Sequence, residues 1–327
     1  MKPSSIVAII AAAVIIVVGI VTCFVANGIA EKNGTPLFAE SRGDDFINTV
    51  DLTDSEIIKI SLSFTDADVN IYGSSATSYI EFVNFRETFY SLSVSNTTVS
   101  FSELPDFSSI DKILDNGFSF KGMRYLFNPR TYDDSKMKAI NIYLASGSEV
   151  KQFDITADRA TVSLENLSCT ADYVFKVDEL TLYSSSVVTN SMLKVSSPKS
   201  NLPAKKASIE FKDSSFASVN VSADDLTLSG TAHEVFTANV SCKSGSIDLS
   251  LPHYLLSAPP TDQKIRIETT GALLVNGEEK ISPFEYDDTA ETTRYLLDIS
   301  AGSADVSVSS LSFRIPEEPA EEAEDAE

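Results

Sequence analysis

"ISLSFTDADVNIYG" (residues 60–73) sets apolar residues at every second position on either side of a polar break. "ISAGSADVSVSS" (299–310) then writes the same Ala-Asp-Val near the far end of the chain. Successive side chains of a strand point to opposite faces, so alternation of this kind predicts strands. The echo admits two readings. Either Asp68 and Asp305 are reagents of one site, or Ala-Asp-Val is a structural corner used twice, with Asp in a turn and Val the first inward residue of the next strand.

The residues between the two strings favour the corner. From 150 to 251 the alternating segments fall into two interleaved series. One holds "FDI" (153–155), "FKV" (175–177), "LKV" (193–195), "VNV" (219–221) and "ANV" (238–240). The other holds "VSL" (162–164), "LTL" (180–182), "IEF" (209–211), "LTL" (226–228) and "IDL" (247–249). A two-strand unit near 20 residues, repeated, is the pattern of a β-solenoid. The one long step contains "SSPKSNLPAKK" (196–206), whose prolines and polar residues predict an inserted loop. Each unit offers about four inward apolar side chains, worth ~1.5–3 kcal/mol apiece when buried. Ordering its backbone costs ~1–2 kcal/mol per residue, so one unit cannot stand without neighbours. The alternative is a β-sandwich, which also alternates. Asn-Gly and Asp-Gly hairpin signals are nearly absent from 150–251, which places it second.

Residues 6–26, "IVAIIAAAVIIVVGIVTCFVA", carry no charge. A helix of that length spans ~30 Å, the thickness of a bilayer's hydrocarbon core. The expectation is a single-pass anchor within residues 1–30, with Lys2 cytoplasmic and everything beyond residue 30 outside the cell membrane. A cleaved signal peptide is the alternative, although its apolar core is typically only about 7–15 residues long. A polar linker (31–50) follows, then the ectodomain (51–315) and an acidic tail, "PEEPAEEAEDAE" (316–327). The net charge of −22 argues against nucleic acid as a partner, since phosphate binding needs clustered Lys and Arg.

An N-terminal anchor, "IIKISLSFTDADVNIYG" (57–73), paired strands and a closing "YLLDISAGSADVSVSS" (295–310) together resemble the bacterial "putative adhesin" family of unknown function. That resemblance covers roughly residues 50–312 and implies a surface-facing, right-handed parallel β-helix. The chain departs from the family pattern at "AINIYLASGSEV" (139–150), where a strand usually ends in Leu-Pro; "DLSLPHYLL" (248–256) has such an ending later.

Residues 103–135 break the strand pattern. Phe107, Ile110, Ile113 and Leu114 recur at helical spacing, with Asp106 or Ser108 as a cap and Gly117 as a stop. A short helix covering an edge of the stack is one reading; a partner-binding lobe using Lys121, Arg124 and Arg130 is the other.

Catalysis finds little support in the residue pattern. The centres of the first series are Asp154, Lys176, Lys194, Asn220 and Asn239; those of the second are Ser163, Thr181, Glu210, Thr227 and Asp248. Neither column gathers carboxylates on adjacent units, as acid/base hydrolysis or calcium-assisted cleavage needs. Lys176 beside Lys194 would favour an anion, or simply be solvated. His233 and His253 lack the spacing of a zinc or triad site. Asp66 with Asp68, and Asp224 with Asp225, read as Asx-turn residues. Cys169 and Cys242 read as two buried thiols that do not pair. The expectation is a non-enzymatic, cofactor-free, adhesin-like binding or scaffolding module, facing a cell-surface glycan or protein. The alternatives are an envelope-facing regulator that contacts another membrane protein, and, ranked last, a cell-wall polysaccharide enzyme.

Overall fold

The computed structural model describes residues 47–53, 56–85, 90–104, 137–199, 202–212, 214–231, 236–250, 263–287, 295–309 and 311. The apolar run at 6–26, Lys121, Arg124, Arg130, both histidines and the acidic tail lie outside them. One compact body comprises Ile47–Glu103 and Lys138–Glu327; Leu104 and Met137 are the described residues of the other.

The described residues are all-β, with eighteen strands. In chain order these are β1 (Ile47–Asp51), β2 (Lys59–Ser75), β3 (Tyr79–Val83), β4 (Tyr90–Val94), β5 (Thr98–Glu103) and β6 (Ala139–Ala145). Next come β7 (Gln152–Glu165), β8 (Asp172–Ser185), β9 (Val188–Ser196), β10 (Ala204–Lys212), β11 (Ser215–Thr231) and β12 (Phe236–Ser250). The last six are β13 (Gln263–Thr269), β14 (Leu273–Val275), β15 (Glu278–Glu279), β16 (Phe284–Asp287), β17 (Tyr295–Ala301) and β18 (Asp305–Ser309).

Parallel pairing runs unbroken from β2 to β7, β8, β9 with β10, β11 and β12. Each long strand is two shorter ones joined at a corner. In β2 the alternation slips at Thr65 and Asp66, both exposed, and in β7 at Asp158 and Arg159. Before the slip, Phe153 and Ile155 of β7 point inward; after it, Ala160, Val162 and Leu164 do so. The corner of β2 thus falls two residues before the aspartate that the string suggested. Asp68 is a ladder residue opposite Thr161 and Ala139, and Ala67 and Val69 are both buried beside it. The predicted loop at 196–206 is the connection between β9 and β10.

The corners carry charges of alternating sign where the sequence suggested Asx turns. Asp66, Arg159, Glu179, Lys206 and Asp225 occupy one register position on successive units. Arg159 reaches Asp66 and Glu179, each at 3.3 Å. One residue earlier, Lys205 pairs with Asp178 at 2.9 Å and Lys243 with Asp224 at 2.8 Å. Exposed pairs contribute only ~0–1 kcal/mol each. Asp178 is itself buried and accepts a 2.6 Å hydrogen bond from Ser197 Oγ, so its carboxylate holds both ends of the 197–205 loop. Those two bonds, the serine first, keep its pKa below the usual aspartate value.

Aromatic residues thicken the core where units need volume. Phe153 and Tyr173 stack at 5.2 Å with rings 2° from parallel, and Phe175 and Phe216 meet Tyr173 edge-on. Gly245 does the opposite. Its φ is +121°, and a Cβ there would lie 1.9 Å from Leu226 O, so the corner of β12 closes only on glycine. Cys242 is buried and Cys169 only partly so, and burial raises both thiol pKa values.

Both ends of the stack depart from chain order. β17 and β18 lie parallel between β12 on one side and β13 and β14 on the other. The chain therefore places its outer unit first and fills the gap last. At the other end β2 lies between β7 and the later strands β5 and β6. Antiparallel strands then line the outer units: β3 on β6, β1 on β3 and β4 on β5 at one end, β16 on β13 and β15 on β14 at the other. The echoed strings belong to the two inserted units. Asp68, Thr161, Thr181, Ser208, Thr227, Ser246 and Asp305 form a single column, so the two Ala-Asp-Val strings occupy one register position at opposite ends. Asp305 Oδ1 accepts from Ala272 N at 2.9 Å, a structural use.

Candidate functional site

The ladder registers revise the columns read from the sequence. Asp154 stands opposite Val174, two residues before Lys176, and Val174 stands opposite Lys194. Lys176 faces Ser196, so the two lysines are not neighbours and form no anion pair. The offset arises because the first half of β8 buries three residues, Tyr173, Phe175 and Val177, and two overlapping three-residue strings fit it equally well.

From Lys194 onward the register is regular. Lys194, Asn220, Asn239 and Asp298 form one outward row, and Ser222, Ser241 and Ser300 align in the next, two residues on. The underlying motif is an apolar residue, a polar residue, a β-branched residue and serine: "LKVS" (193–196), "VNVS" (219–222), "ANVS" (238–241) and "LDIS" (297–300). The serine recurs one position beyond each three-residue string, and that recurrence is the sequence signal for the second row. Strand spacing of about 4.8 Å stretches the row from Lys194 to Asp298 over ~14 Å.

Those two rows line an open groove of about 330 Å³. Asn239 Nδ2 donates to Asn220 Oδ1 at 2.8 Å, and Asn220 Nδ2 donates to Ser218 Oγ at 3.1 Å. The amides are thereby held in one orientation by the ladder, at no cost in side-chain freedom on binding. Lys194 and Asp298 are the charged lining residues, at opposite ends of the row. Among the described residues the groove has a single carboxylate, whereas glycoside hydrolysis in its usual form uses two. A second cavity of about 400 Å³ lies among Leu52, Ile57, Leu144 and Val150, with Glu56 and Glu149 in its lining. Among the described residues no group of three or more His, Cys, Asp or Glu is placed to hold a metal ion. The cationic residues singled out at 121, 124 and 130 lie outside the described residues.

No family model and no curated protein matches the chain. Solved structures do. One is titled a putative cell adhesion protein from Clostridium sporogenes, 14% identical, with a TM-score of 0.28, covering 81% of this chain and 98% of that one. Another is a putative adhesin from Bacteroides fragilis, 10% identical, with a TM-score of 0.33 and coverage of 83% and 99%. A third is a putative adhesin from Parabacteroides distasonis, 9% identical, with a TM-score of 0.29 and coverage of 81% and 99%.

Proposed function

We propose that residues 51–315 are a parallel β-solenoid displayed outside the cell on the 6–26 anchor, and that the module works as a non-enzymatic, adhesin-like binder. The solenoid reading is supported by parallel ladders that advance by one two-strand unit at a time, where a sandwich would pair its strands mostly antiparallel. The binding reading rests on one observation: the amide and hydroxyl pair repeats along the groove at strand spacing, with Asn220 and Asn239 already oriented. Such a surface offers donors and acceptors in a line, which suits an extended, hydroxyl-rich polymer such as a surface glycan. Bonds of this kind contribute only ~0.5–1.5 kcal/mol each, so affinity accumulates along the row.

The test is binding of the full chain, in detergent micelles, to arrays of neutral glycans, beside an Asn220→Ala/Asn239→Ala variant of unchanged circular dichroism. The proposal expects retention by at least one extended neutral glycan and at least a tenfold loss in the variant. Binding that survives the double substitution, or no neutral glycan retained at all, would overturn it.

A further inference from the structure

A second outward surface, on the opposite side of the corners from the groove, carries different chemistry. Tyr72, Tyr143 and Tyr79 come from β2, β6 and β3 and stack in series. The centroids of Tyr72 and Tyr143 are 5.2 Å apart and those of Tyr143 and Tyr79 4.4 Å, with interplanar angles of 23° and 16°. Tyr143 is covered on both faces, which leaves the outer face of Tyr72 turned along the ladder toward β7. The residue opposite Tyr72 on β7 is Glu165, which is exposed. One strand further, Tyr183 of β8 stands opposite Ser163 and is 49% exposed. Tyr183 therefore lies two strand spacings across and two residues along from Tyr72, ~12 Å in all, with Ser163 and Glu165 on the strand between them.

Amides and carboxylates flank this notch, Asn70 at its edge and Asn141 and Glu81 on the strands beyond. Asn70 Nδ2 donates to Asn141 Oδ1 at 2.9 Å, and Asn141 Nδ2 to Glu81 Oε2 at 3.3 Å. Glu210 stands opposite Tyr183, and Lys212 shares the register position of Glu165 two strands away, beyond Ser185. Glu165 and Glu210 outnumber Lys212 on this face, which favours a cation, and aromatic faces add cation–π attraction. A bare quaternary ammonium would leave the amides idle, and a neutral sugar would leave the carboxylates unmatched. We infer that the notch between Tyr72 and Tyr183 binds a protonated amino sugar, with the ring against Tyr72, the ammonium toward Glu165 and hydroxyls toward Asn70 and Ser163. This inference does not depend on the polar groove.

The experiment is titration of the full chain in detergent with glucosamine oligomers, against N-acetylglucosamine oligomers of the same length. The expected result is binding of the free amine at least tenfold tighter than the acetylated form, with the difference shrinking as salt is raised. Glu165→Gln, which keeps the shape of the side chain, should lower affinity for the amine at least fivefold and leave the acetylated oligomer unaffected. Tyr72→Ala should weaken both. The Asn220→Ala/Asn239→Ala variant should bind the amine as the parent does, so failure of the groove and failure of the notch are separable. Equal affinity for the two oligomers, no binding at millimolar amine, or indifference to Glu165→Gln overturns the inference.

Discussion

Replacing Tyr173 with phenylalanine should stabilise the protein. The ring is fully buried between Phe153, Phe175 and Phe216, and its hydroxyl has no hydrogen-bond partner among the described residues. Removing such a group releases a desolvation penalty of ~1–3 kcal/mol, while the 5.2 Å stack on Phe153 is kept. With an m-value of about 3 kcal/mol per molar urea, the unfolding midpoint should rise by ~0.5 M. Tyr173→Ala, which removes the ring as well, should cost ~3–5 kcal/mol. A pH series gives an independent check. Burial raises the ionisation of this phenol far above its ordinary range. Only the unfolded chain then gains by deprotonation, so stability is full below pH ~10 and falls as pH rises above it. Tyr173→Phe should remove that residue's part of the alkaline loss. The reasoning is falsified if Tyr173→Phe lowers the midpoint at pH 7, since the hydroxyl would then have a partner.

Gly245→Ala should cost at least ~2 kcal/mol by chemical denaturation, since a left-handed φ and a carbonyl 1.9 Å from the new Cβ both oppose it; wild-type stability would refute the corner geometry. Asp178→Asn should loosen the 197–205 loop, seen as faster amide exchange at Ser197 and Leu202. Its lowered pKa means the aspartate stabilises the fold above pH ~4 and loses that effect as pH falls further. Acid unfolding of the asparagine variant should therefore be less steep, and an unchanged acid limb would count against the clasp. Ending the chain at residue 290 should strip amide protection from β13 and β14 while sparing β7 and β8, because only β17 and β18 join the outer unit to β12 by parallel pairing. Retained protection at Ile265 and Ile267 in that truncation would contradict the strand order.

Strand positions and their grouping in twos were legible because burial demands alternation, and the residues between 150 and 251 alternate cleanly. Register was not. In β8 the strings "YVF" and "FKV" overlap, and only the neighbouring ladder decides which of them faces "LKV". Strand order at the ends was equally hidden, since a unit's inward face is apolar whichever unit it meets. The polar groove was half visible: its asparagines were in the columns, whereas the serines lay one position beyond the strings compared. The tyrosine ladder was invisible, because Tyr72 and Tyr143 become neighbours only through the pairing of β2 with β6.

The late insertion of β17 and β18 gives synthesis of the chain a direction. A stack built in simple order could seal each new unit as it emerged. Here β13 and β14 are made first and have no parallel partner until residues 295–309 arrive. The closing step thus waits for β17 and β18. An incomplete chain exposes the open edge of β12, a template for pairing with other chains. Pairing with β17 and β18 covers that edge, so the stack stays open to misassembly until residues 295–309 have been made.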